Sequence, residues 1–273
     1  MIKKVILLAA AIVTSSFATW DYFGLLEEGR GSAKAGLYYD WDDDWSQMGL
    51  KVGARMTVAP KFELSLQSFG FQFWGEWECD SCEEGGYGLR DLVIGARYAL
   101  DPELYFFLDF NLPIGREKGK GTPPSRGEIS LYFGAQHHKE IQAINGASYG
   151  AEAGLFWGFE HDDLERGLEL RLGGEFDYKL PSAPLTLLVG TQFWLRLFES
   201  EYNDKDLRDD WSDQWKFWVG ANFAITQNIS VNGSVIVRSQ DLNHRKNSEE
   251  LKLPSIAMEG DAIGFTMDFE FKF

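Results

Sequence analysis

Between Ala262 and Phe273 every second residue is apolar: Phe265, Met267, Phe269, Phe271 and Phe273 alternate with Thr266, Asp268, Glu270 and Lys272. A period of two marks a β-strand, whose successive side chains point to opposite faces. One face of this strand is aromatic and the other charged. In a water-soluble sheet the aromatic face would be buried in a core. In a closed sheet crossing a bilayer it would face lipid and leave the charges to the lumen.

The alternation recurs through most of the chain. Met48, Leu50, Val52, Ala54, Met56 and Val58 interleave with Lys51, Gly53, Arg55 and Thr57, and Leu92, Ile94, Ala96 and Tyr98 with Gly95 and Arg97. Leu104, Phe106, Leu108, Phe110 and Leu112 face away from Asp109 and Asn111, while Leu168, Leu170, Leu172, Phe176 and Tyr178 oppose Glu169, Arg171, Glu175 and Asp177. In one segment the parity changes: Phe62, Leu64 and Leu66 are even in phase, whereas Phe69, Phe71 and Phe73 are odd. One extra residue near Ser68, a β-bulge, explains the change. The pattern predicts about twelve strands, each near the roughly 9–11 residues that a tilted membrane strand needs.

The connections alternate too. Short turns are expected at Ala59-Pro60, Asp101-Pro102, Ile141–Gly146, Pro181–Pro184 and Gln227-Asn228. Between them fall longer, charged segments: Asp40–Trp45, Glu76–Tyr87, Arg116–Arg126, Glu160–Glu165, Glu199–Asp213 and Asp241–Gly260. An antiparallel up-and-down barrel with short periplasmic turns and longer outside loops sorts its connections this way, and a sandwich has no reason to. The expected fold is all-β, a transmembrane antiparallel barrel of about twelve strands.

The amino end agrees with an exported chain. Lys3 and Lys4 precede an apolar run from Val5 to Val13, then Ser16-Phe17-Ala18, which reads as a signal peptide cleaved after Ala18. The run is too short to anchor the chain in a membrane. Residues 19–273 would then form one barrel domain. Removing residues 1–18 takes two lysines and no acid, moving the formal net charge from −16 to −18. So acidic a chain is not expected to bind nucleic acid.

A terminal strand ending in Phe resembles the carboxy-terminal signature of bacterial outer-membrane barrels. The resemblance implies that Phe269, Phe271 and Phe273 form an assembly signal read by the barrel-assembly machinery, with outer-membrane lipid and lipopolysaccharide as surroundings. A second resemblance runs from Ala96-Arg97-Tyr98 through Asp101-Pro102 to Leu112-Pro113-Ile114-Gly115. It is similar to the phenol meta-pathway outer-membrane proteins, which carry Thr where this chain has Ile114. That resemblance implies passage of hydrophobic aromatic compounds across the outer membrane.

The inward positions define the candidate site. Lys51, Arg55, Arg97, Arg171, Arg196, Lys216 and Arg238 meet Asp109, Glu152, Glu175, Asp268 and Glu270. Charges inside a narrow barrel must be paired or hydrated. They either fill the lumen as salt-bridge ladders or line a permeation path for small solutes. Eight strands leave room for side chains alone and sixteen to eighteen leave a channel, so twelve allows a narrow one. Trp194, Phe198, Trp218 and Phe107 offer an apolar patch within it. The other reading is a closed barrel serving as a scaffold or adhesin through its acidic, aromatic loops.

Cys79 and Cys82 fall in one outer loop and are expected to form a local disulfide after export. His137 and His138 flank a turn, one facing inward and the other outward. His161 beside Asp162 and Asp163 invites comparison with outer-membrane proteases, yet no serine stands at a partner spacing and no triad emerges. No enzyme activity, cofactor or metal site is expected.

Overall fold

The computed structural model describes residues 24–42, 45–77, 86–117, 123–125, 127–198, 201–202, 205–206, 214–240 and 262–273. The expected signal segment, the pair Cys79 and Cys82, and most of the acidic loop residues lie outside these.

Twelve long strands run in chain order: β1 Gly31–Trp41, β2 Trp45–Ala59, β3 Phe62–Trp77, β4 Leu92–Ala99, β5 Leu104–Leu112, β6 Ser130–Glu140, β7 Ala147–Gly158, β8 Leu168–Lys179, β9 Leu185–Arg196, β10 Gln214–Ala224, β11 Ile229–Gln240 and β12 Ala262–Lys272. Each pairs antiparallel with its sequence neighbours, and β1 pairs with β12. The sheet is therefore a closed barrel with no free edge among these strands. A two-residue strand, Gly88–Leu89, adds to β3 beside the barrel. At the loop end Leu164–Glu165, Glu201–Tyr202 and Lys205–Asp206 form a small separate sheet.

The alternation predicts the facing of the side chains correctly. Phe265, Met267, Phe269, Phe271 and Phe273 are exposed on the outside, while Asp268 and Glu270 are buried. The barrel thus buries polar groups and exposes apolar ones, the reverse of a soluble domain, and this arrangement suits a lipid exterior. Stacked rings gather at the loop end, where Tyr39–Trp41, Trp41–Phe265 and Trp157–Phe159 have centroids 5.2, 5.3 and 4.9 Å apart. Tyr98, Phe106, Phe223 and Phe271 are exposed near the turn end. These are the two aromatic girdles of a membrane barrel.

The parity change in β3 is a bulge. Val52 pairs with Phe69 and Ala54 with Leu66, so Gln67 and Ser68 together face Gly53. Met267, midway along β12, gives a test of the lipid face. Met267→Arg is expected to cost about 2–4 kcal/mol near the bilayer midplane, read from denaturant unfolding of the barrel in phospholipid vesicles. No loss of stability there would contradict the outward assignment.

Candidate functional site

Inside the barrel the charges divide into those locked against the wall and those facing open space. Near the turn end Glu63 on β3, only 1% exposed, lies between Arg55 on β2 and Arg97 on β4, at 3.9 and 4.0 Å. At the loop end Glu169 on β8 plays a similar part. Its Oε2 accepts from Arg171 Nε and Nη2 at 3.0 and 2.7 Å, and its Oε1 meets Arg196 Nη2 at 2.6 Å. Arg196 also donates to the Arg166 carbonyl, and Arg166 pairs with Glu128 at 3.2 Å. Each of these buried charges has an opposite charge within 4.0 Å, which lowers the cost of keeping it out of water.

Two cavities occupy the lumen between these layers. The outer one, about 380 Å³, reaches the loop end past Arg90, Pro123, Pro124 and Arg238. The middle one, about 400 Å³, is lined by Lys34, Lys51, Glu152, Lys216, Trp218 and Asp268 among others. They share Ser68, Val93, Asp109, Tyr132, Arg171 and Trp194, which form a waist where the two spaces meet. Arg171 is fixed there by Glu169 below its edge and by rings against its faces, Phe156 at 3.8 Å and Trp194 at 4.2 Å. Stacking, together with the two bonds that Arg171 donates to one carboxylate oxygen, holds the guanidinium in one orientation. On β7, Glu152 is held by Tyr132, by Gln136 Nε2 at 2.6 Å and by Gln192 Nε2 at 3.3 Å. Lys34 and Lys51 stand half a circumference away on β1 and β2, so acid and base face one another across the middle cavity.

Two features narrow the route toward the turn end. Trp218 on β10 lies flat over Gly190 on β9 and donates its indole N–H to Glu175 on β8. A Cβ at position 190 would collide with that ring, so the glycine is what lets the indole lie across the wall. Separately, the segment ahead of β1 enters the lumen. Leu26 N–H donates to Glu63 Oε2 at 3.4 Å, the Leu26 carbonyl accepts from Thr57 Oγ1 at 2.9 Å, and Gly24 lies against Tyr105 and His138. Beyond, a third cavity of about 640 Å³ opens at the turn end beside Asp177 and Lys179.

The barrel has solved counterparts. An outer-membrane channel from Pseudomonas putida F1 matches with a TM-score of 0.70 at 13% identity, over 94% of this chain and 100% of that one. The translocator domain of the autotransporter NalP from Neisseria meningitidis matches at 0.54 with 10% identity, over 99% of this chain and 94% of that one. The beta domain of the Bordetella autotransporter BrkA matches at 0.51 with 12% identity, covering 90% and 100%. No sequence-family model and no curated protein matches the chain. The likeness is one of fold, and it places the architecture among bacterial outer-membrane barrels.

All twelve inward charges expected from the sequence do face inward, but they do not form one constellation. Lys51, Asp109, Glu152, Arg171, Lys216, Arg238 and Asp268 line the outer or middle cavity. Arg55, Arg97, Glu175, Arg196 and Glu270 line neither. Trp194 and Trp218 reach the cavities as expected, and Phe107 packs behind Tyr132 at 4.8 Å. Phe198 does not join them; it is 67% exposed, beyond the end of β9. Asp40, expected in an outer loop, is instead on β1. It faces the lumen, accepting from Gln47 Nε2 at 3.1 Å and lying 3.6 Å from Arg238 Nη2. His138 turns inward to Tyr105 at 3.5 Å, whereas His137 stacks on Tyr149 and approaches Glu103 at 3.8 Å. Sequence reasoning missed Arg166 and Glu128, which lie outside the long strands in segments that read as loops.

Proposed function

We propose that this chain is an outer-membrane channel that passes small solutes through a narrow, charge-lined lumen. The observation that carries the reading is the pair of cavities joined at Asp109, Tyr132, Arg171 and Trp194. A barrel serving only as a scaffold has no need of open space lined by charges of both signs, since burying them in pairs is enough. The fold shared with a protein described as an outer membrane channel supports the same reading. In this proposal residues 1–18 direct export, the charged loops face outward and Lys51, Asp109, Glu152, Arg171, Lys216, Arg238 and Asp268 border the path. Arg55, Arg97, Glu175, Arg196 and Glu270 shape it from behind. Phe269, Phe271 and Phe273 serve assembly, and lipopolysaccharide surrounds the loop end.

Tyr132, Phe156, Trp194 and Trp218 give the path an aromatic side, which favours planar organic solutes over bare ions. The resemblance at Leu112-Pro113-Ile114-Gly115 points the same way, to hydrophobic aromatic compounds.

The test is single-channel conductance of the refolded barrel in a planar bilayer under a salt gradient. Discrete steps are expected. Lys34→Gln combined with Lys216→Gln is expected to move the reversal potential toward cation selectivity, because it removes two of the four basic side chains facing Asp109, Glu152 and Asp268 in the middle cavity. Silence from a folded barrel would favour the closed scaffold.

A further inference from the structure

Outside the lumen, three metal-ligating side chains converge at the loop end. Glu117 follows β5, and His161 and Asp162 lie between β7 and β8, 44 residues away. His161 Nε2 lies 3.1 Å from Glu117 Oε2 and 3.9 Å from Asp162 Oδ2. One donor atom from each side chain lies within 4.8 Å of the other two. Donors bound to a single zinc at about 2.0–2.2 Å lie roughly 3.0–3.6 Å from one another. The His161–Glu117 edge already has that length. The Asp162 carboxylate, at 3.9 Å from His161 Nε2, lies just beyond that length and is exposed.

The backbone is shaped to bring these groups together. His161 and Leu164 bond to each other twice, at 3.0 Å in both directions, and close a two-residue turn. Its central residues Asp162 and Asp163 have φ of 49° and 59°, a left-handed conformation that ordinary residues adopt only at a cost. That turn sets the Asp162 carboxylate beside the imidazole. On the opposite side the chain passes at Gly127, whose φ is +73°. A Cβ there would come within 2.6 Å of Glu117 Oε2 and would collide with His161 Nε2. Only glycine leaves room for the two donors to share one point.

We propose that Glu117, His161 and Asp162 bind a divalent transition-metal ion of the zinc class, with water completing the coordination. An imidazole nitrogen with two carboxylates suits such an ion better than calcium or magnesium, which take oxygen ligands alone. The bound ion would join the segment after β5 to the turn between β7 and β8 at the loop end of the barrel. The competing arrangement is a simple hydrogen-bonded pair between His161 and Glu117, which needs no metal.

Calorimetric titration of the refolded barrel with Zn²⁺, and then with Ca²⁺ as a comparison, separates the two. One equivalent of Zn²⁺ per chain is expected, with Ca²⁺ binding far more weakly. His161→Ala and Glu117→Gln are each expected to weaken the Zn²⁺ affinity by at least roughly tenfold. Gly127→Ala, which supplies no ligand and removes none, is expected to weaken it as well. Retention of the barrel's heat-modifiable gel shift in each variant shows that folding is intact. Absence of stoichiometric Zn²⁺ binding, or binding that survives His161→Ala unchanged, overturns the proposal.

Discussion

Replacing Glu169 by alanine is expected to cost the barrel about 3–5 kcal/mol, because it breaks a buried ion-pair cluster by removing its shared acid. The carboxylate is 1% exposed and is the shared acceptor for Arg171 and Arg196. Removing it leaves two guanidinium groups without their shared counterion, Arg196 buried in the wall and Arg171 at the waist. Arg196 is then a buried charge without its counterion, and its repulsion of Arg171 adds to the loss. Arg166 feels the change indirectly, since Arg196 donates to its carbonyl and its own partner is Glu128. Unfolding in denaturant, followed by the gel shift of the folded barrel, gives the number. A loss below about 1 kcal/mol would mean that water reaches these charges and that Glu169 contributes no more than an exposed pair does. Glu169→Gln with Arg196→Gln removes acid and base together, so its cost should fall well short of the sum of the two single changes. The single Glu169→Ala change should also disturb conduction, because Arg171 then loses the group that holds its edge at the waist.

How far this cluster was legible in the sequence depends on the residue. The inward facing of Glu169, Arg171 and Arg196 follows from strand parity alone, because lipid outside and water inside select opposite side chains at every second position. The bulge at Gln67 and Ser68 was legible for the same reason. Which charges pair was not. Parity places a residue on a face, but pairing depends on the stagger between strands, and the sequence does not state that stagger. Glu128 continues the inward parity of β6, although it lies in what reads as a loop. Arg166 was hidden more deeply: Gly167, with φ of +71°, breaks the phase between it and β8. Asp40 reads as part of an outer loop because four aspartates in five positions look solvated, whereas β1 runs one residue beyond it. The pairing of Glu117 with His161 could not be read from spacing at all, since it joins separate connections.

A variant whose chain begins at Glu27 is expected to conduct roughly two- to threefold more per channel than the parent, because a twelve-stranded barrel is wide enough to leave a narrow lumen once the obstruction is gone. The residues removed include Gly24, Leu25 and Leu26, which reach from Thr57 and Glu63 on one wall to Tyr105 and His138 on another. Two hydrogen bonds tie Leu26 to that wall among the described residues, so their loss costs about 1 kcal/mol each and leaves the barrel folded. Glu63 keeps Arg55 and Arg97 and does not become an uncompensated charge. Gly24→Val tests the same obstruction without shortening the chain. A Cβ at position 24 would come within 2.7 Å of Tyr105 Oη and 3.3 Å of His138 Nδ1, so the valine pushes the segment off the wall. Both variants should conduct more than the parent, with the truncation giving the larger step. Trp218→Ala added to the truncation should raise conductance again, because the indole over Gly190 narrows a different part of the lumen. Unchanged conductance in the truncated barrel would place the limiting constriction at the waist, where Arg171, Tyr132 and Trp194 converge, and would make Trp194→Ala the variant that opens the channel.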